Sequence, residues 1–177
     1  FLVQNSLGAT WMGMHPESKR YEKWEYYVRQ ADRAPVTAKP VEEIALLRNK
    51  THSVAAGELL PEAPRKVAVS GELFEVRAEF FLDQAKTVGV DIGGNRVVYD
   101  VAAGKLGGAP MKPVDGKVSM QVLLDRPMIE ICGNDGAVYI TGRRRKRGEV
   151  ESITAFADGG PTRLVSLEVH ELKSIWD

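Results

Sequence analysis

A chain of 177 residues with 24 basic and 24 acidic side chains has room for one domain with a real core plus an extension, and too little for two full domains. The balanced charge supplies no overall field to draw in nucleic acid or an anionic membrane. No apolar run approaches the roughly 20 residues that span a bilayer. The single cysteine, Cys132, excludes an internal disulfide.

The sequence opens Phe1-Leu2-Val3 rather than on methionine, so a processed product or a fragment is expected. Residues 1 to about 40 differ from the rest. They hold Trp11 and Trp24 and three of the five tyrosines. Tyr21, Trp24 and Val28 fall at helical spacing, which fits a short amphipathic helix over residues 17–29 or an irregular docked segment equally well. Pro35 and Pro40 then punctuate the chain and set a soft boundary before Val41. The division expected is an N-terminal extension, 1–36, followed by a module over 37–177.

From Leu73 the period is two. Phe74, Val76, Ala78, Phe80 and Leu82 alternate with Glu75, Arg77 and Glu79, a strand with one wet face. Val88, Val90 and Ile92, then Gly93-Gly94-Asn95, then Val97, Tyr99 and Val101 predict a hairpin. Val118, Met120, Val122 and Leu124 form another inward face. An Asp125-Arg126 corner leads to Ile129 and Ile131, with Glu130 pointing the other way. Asn134-Asp135-Gly136 tolerates positive φ and predicts a second hairpin into Val138 and Ile140. A strand over 153–157, a turn at Gly159-Gly160-Pro161 and alternating Val165, Leu167 and Val169 complete the pattern. Short strands at this spacing, with no helical pattern between them, predict an all-β antiparallel sandwich of jelly-roll or concanavalin type.

The stretch Leu124-Asp125-Arg126-Pro127-Met128-Ile129-Glu130-Ile131, followed by Asn134 and Gly136, resembles a signature of the C-terminal sandwich of family 32 glycoside hydrolases, the invertases, levanases and inulinases. There the run is roughly Val-Asp-Arg-Ser-Ser-Val-Glu-Val-Phe. Pro40-Val41-Glu42-Glu43-Ile44 with Leu47-Arg48 is similar to the family's lead-in, and Leu172-Lys173-Ser174-Ile175-Trp176 to its ending. Pro127 and Met128 replace the paired serines, and Cys132 an aromatic. Pro127 lacks an N–H and belongs at a strand start, bulge or edge.

The resemblance implies a module without chemistry of its own. Retaining hydrolysis needs two carboxyl groups about 5–5.5 Å apart. In that family they lie in an N-terminal propeller, in Trp-Met-Asn-Asp-Pro, Arg-Asp-Pro and Glu-Cys motifs, none of which occurs here. Trp11-Met12-Gly13 looks like the tail of the propeller's last blade. The expected role is to stabilise a catalytic propeller acting on sucrose or fructans, with Trp11, Met12 and Trp24 at the contact between the two. Left open, that surface would favour a homo-oligomer. The alternative is a fructan-binding, lectin-like module that holds fructan or fructose through Arg126, Glu130 and Tyr99. By family analogy the setting would be extracellular or periplasmic.

Other features read as structural. Arg143-Arg144-Arg145-Lys146-Arg147 could meet a polyanion, but a solvated hairpin loop is the plainer expectation, and no nucleic-acid partner is expected. His15, His52 and His170 are scattered, so no metal is expected. Cys132 reads as an inert buried thiol. The Gly93-Gly94 and Gly107-Gly108 pairs are turns without a phosphate-loop pattern, and no cofactor is implied.

Overall fold

The computed structural model describes residues 38–174, together with two short N-terminal strands, β1 (Val3–Gln4) and β2 (Thr10–Trp11), which pair antiparallel with each other. The helix expected over 17–29 lies outside the described residues, as do Ile175 and Trp176. A 3-10 turn, Glu42–Leu47, precedes a run of strands. These are β3 (Arg48–Val54), β4 (Gly57–Leu59), β5 (Arg65–Gly71), β6 (Leu73–Phe81), β7 (Thr87–Ile92), β8 (Asn95–Asp100), β9 (Lys105–Leu106) and β10 (Ala109–Pro110). They continue with β11 (Lys117–Asp125), β12 (Met128–Gly133), β13 (Val138–Arg143), β14 (Val150–Asp158) and β15 (Thr162–Leu172).

Two antiparallel sheets form the sandwich. One has the order β10-β9-β8-β7-β14-β5, the other β13-β12-β11-β6-β15-β3, with β4 also paired to β15. The alternation anticipated from the sequence is the inward face. Phe74, Val76, Ala78 and Phe80 of β6 and Val118, Met120, Val122 and Leu124 of β11 are buried against Val88, Val90, Ile92, Val97 and Ile153 of the facing sheet. Burying such side chains is the main stabilising term of a two-layer fold.

The turn chemistry also holds. Gly93 and Gly94 both have positive φ between β7 and β8, where Ile92 pairs with Asn95. Asn134, Asp135 and Gly136 all have positive φ between β12 and β13. Two features depart from the expected pattern. Strands β3, β4 and β5 and the two-residue β9 and β10 were not anticipated, because Arg48–Val54 carries no apolar alternation, β4, β9 and β10 are too short to show a period, and β3, β5 and β10 end their sheets. In β15 the register shifts between Leu164 and Ser166, so Leu164 and Leu167 are buried while Val165 is only half-buried. A bulge of this kind breaks a strict period of two.

The segment before β3 crosses the sandwich. The N–H of Ala38 bonds the carbonyl of Gly136, and the Ala38 carbonyl accepts from the Cys132 thiol at 3.7 Å. At the other end the Leu47 carbonyl accepts from Lys173 N–H. Since β11 and β6 lie between β12 and β15, residues 38–47 span the outer face of this sheet.

Candidate functional site

Strand register builds a shelf at one end of that outer face. Glu130 pairs with Leu123 and Thr141, and Cys132 with Gln121 and Tyr139. All alternate with core-facing Val122, Leu124 and Ile131, so they project outward. The Tyr139 hydroxyl donates a hydrogen bond to the Glu130 carboxylate. Burial and the adjacent Glu130 charge push the Tyr139 hydroxyl far above its ordinary pKa, which keeps it a donor. Among the described residues Tyr139, 37% exposed, is the one aromatic among the exposed large side chains, and Met128 lies on the same face further along β12, opposite Arg143.

The residues expected to meet sugar are not brought together. Tyr99 is fully buried on the inner face of β8, and its hydroxyl donates to the Met111 carbonyl at 3.0 Å. It offers no ring to a ligand, because its alternation with Val97 made it core. Arg126 sits in the two-residue loop joining β11 to β12 with φ of 49°. Its guanidinium reaches Ser174 Oγ at 3.4 Å and makes no ion pair with Glu130. Of the three, Glu130 alone stands on the shelf. Tyr139 was missed, although the hairpin at 134–136 fixes its parity with Glu130 and could have revealed it.

The centre of the same face holds a second group that alternation could not show. Glu75 was expected on a wet face, yet it is 0% exposed. Arg48 grips it with both Nε and Nη2, at 2.8 and 3.0 Å. Arg77 Nε and Gln121 Nε2 each donate at 2.7 Å. Burial alone would raise its pKa, but the hydrogen bonds from Arg48 and Arg77 outweigh burial and hold the carboxyl below its usual range. A carboxylate held this way has no proton to give and its lone pairs are committed, so it is a structural tie and not an acid or nucleophile.

His170 pairs with Glu75 across β15 and β6 and is 3% exposed. Its Nδ1 meets Thr51 Oγ1 at 2.8 Å, while Nε2 has no hydrogen bond and stands 3.5 Å from Glu168. Burial, then the nearby Arg48 charge, lowers its pKa. His52 meets Glu171 at 2.8 Å. Among the described residues no group of three His, Cys, Asp or Glu side chains is placed to hold a metal ion; His15 lies outside them. Burial raises the pKa of the Cys132 thiol, which suits an unreactive side chain. Of the expected contact residues Trp11, Met12 and Trp24, the backbone of Trp11 lies in β2 and the other two fall outside the described residues.

Two shallow clefts lie away from the shelf. One, of about 610 Å3, is lined by Glu58, Asp83, Gln84 and Arg163. The other, of about 510 Å3, is lined by Asn49, Ser70, Glu72, Glu171 and Ser174.

Residues 43–171 match the family of glycosyl hydrolases family 32, C terminal. A levanase of Bacillus subtilis is 27% identical, with 80% of this chain and 25% of that protein covered. The chain thus spans about a quarter of the length of this curated relative. The fold is similar to a fructofuranosidase of Schwanniomyces occidentalis solved with fructose, at a TM-score of 0.66 and 16% identity, over 93% of this chain and 39% of that one. It is also similar to a family 32 β-fructofuranosidase of Bombyx mori, at a TM-score of 0.59 and 24% identity, over 78% of this chain and 30% of that one.

Proposed function

This chain belongs to the glycosyl hydrolase family 32 C-terminal domains, and from that premise we propose that it is the non-catalytic sandwich module of an enzyme acting on fructans or sucrose. The match over residues 43–171 is the observation that carries the reading. Its role is to bury one face against a catalytic propeller and stabilise it, with residues 1–36 as the propeller's tail and 37–177 as the sandwich. The carboxyl groups for hydrolysis come from that propeller, since this sequence lacks the family's three acidic motifs. Its setting is extracellular or periplasmic. Incubating the purified chain with levan, inulin and sucrose tests the division of labour: no released sugar is expected, and measurable turnover overturns it.

A second reading, fructan binding, is favoured by the shelf. A tyrosine ring fixed by a carboxylate, with Thr141 alongside, offers an apolar face and hydroxyl acceptors to a furanose. Calorimetric titration with levan, inulin and fructose separates the two roles. Saturable heat abolished by Tyr139→Ala and Glu130→Gln supports sugar binding, and no heat leaves the stabilising role.

A further inference from the structure

We infer that the loop between β13 and β14 is a docking point for a flexible acidic polysaccharide. Residues 143–147 are five cations in succession. In a chain of zero net charge they balance five of the 24 acids, so the remainder is net negative and the positive charge is local.

The loop's charge is not compensated within the described structure. Arg144 is 4% exposed, yet its guanidinium meets only the carbonyls of Arg126 and Gly148, at 2.9 and 2.7 Å, and its Nε has no partner. A buried cation is normally paired with an acid, and Arg144 has none among the described residues. The same holds for the exposed Arg143, Arg145, Lys146 and Arg147. The nearby acids are turned elsewhere. Glu149 accepts a hydrogen bond from Ser70, and Asp91 accepts the N–H of Gly94.

The loop is also held in shape. Lys146 N–H donates to Asn95 Oδ1 and its carbonyl accepts from Asn95 Nδ2, both at 3.0 Å. Asn95 itself is buried, and Arg144 N–H bonds the Pro127 carbonyl at 2.7 Å. Less backbone freedom is then lost when a ligand arrives. Guanidinium forks fit carboxylates well. The loop is not the hairpin end expected from the sequence, because β13 ends one sheet and β14 lies in the other. No aromatic lies within it to stack a base, and a short crossing between sheets contacts few phosphates of a rigid duplex. A flexible chain with a carboxylate on each sugar can set successive charges against Arg143, Arg145, Lys146 and Arg147. Neutral fructans carry no such charge, so this surface is separate from the shelf.

Titration of the full chain with polygalacturonate tests the inference, with inulin, inorganic phosphate and duplex DNA as comparisons. Saturable binding is expected at about 50 mM salt, weakening about tenfold or more by about 200 mM. Replacing Arg143, Arg145, Lys146 and Arg147 together by glutamine, with Arg144 kept, is expected to cut affinity at least about tenfold while the thermal midpoint stays in place. The double variant Arg145→Gln/Arg147→Gln, expected to give a smaller loss, provides the measurement if the quadruple variant does not fold. No saturable binding at low salt, equal binding by the variants, tighter binding to DNA, or displacement by phosphate at equal anion concentration would each overturn it.

Discussion

Two groups of charge in this sandwich are handled in opposite ways. On the outer face of the larger sheet Glu75 is fully buried but receives four hydrogen bonds from Arg48, Arg77 and Gln121. In the β13–β14 loop Arg144 is nearly as buried and meets only main-chain carbonyls, with no acid beside it among the described residues. The first arrangement is closed: the buried carboxylate is gripped by two guanidiniums and an amide, and none of its hydrogen-bonding capacity is left over for a ligand. The second is open, because the four cations around Arg144 are exposed and none of the five is paired with an acid among the described residues. Closed networks serve stability and register, whereas uncompensated charge is where a partner can gain.

The comparison can be broken first at its closed end. Glu75→Ala leaves Arg48 and Arg77 facing each other without their acid, and a loss of about 3 kcal/mol is expected. Both guanidiniums reach water, which keeps the loss toward the low end. Urea denaturation reads this as a lower midpoint at unchanged slope.

Arg144→Ala is the matching change in the loop. It strips partners from the Arg126 and Gly148 carbonyls, and about 2 kcal/mol is expected by the same assay. Because no acid among the described residues depends on Arg144, its removal should cost less than that of Glu75. An equal or greater loss would contradict the contrast.

Acid probes the closed group in a second way. The folded-state pKa of His170 lies below its ordinary 6.5, so the unfolded chain takes up the proton first. The stability this contributes is present above about pH 6.5 and is lost as pH falls. Glu75 adds a further loss below its ordinary 4.5, again because its folded pKa is depressed. His170→Gln is expected to flatten the upper limb of the pH-stability curve and leave the lower one. An unchanged upper limb would assign that loss to another group.

The smallest effect expected is that of Arg145→Ala, an exposed cation with no ion pair among the described residues. It should shift stability by less than about 0.5 kcal/mol, so any larger change in the thermal midpoint would reveal a hidden partner.

Much of the architecture was legible because strands with one buried face write their orientation in every second residue. The runs of β6, β7, β8 and β11 and the turns at Gly93-Gly94 and Asn134–Gly136 carry that signal plainly. The edge strands did not, since β3 is nearly all polar, and a bulge hid the true inward set of β15. The shelf was half legible. Glu130 could be placed outward by parity, whereas its aromatic neighbour required the hairpin register that brings Tyr139 beside it and sends Tyr99 into the core.

By itself, then, the sequence determined the fold class, the main hairpins and the family, because these follow from local periodicity, turn residues and short motifs. The tertiary structure alone decided which charges are spent and which remain. Arg48 meets Glu75 across 27 positions of sequence, Thr51 meets His170 across 119, and Asn95 meets Lys146 across 51. No local pattern encodes such pairs, since they arise from the order of strands in the sheets and from the loops that join them.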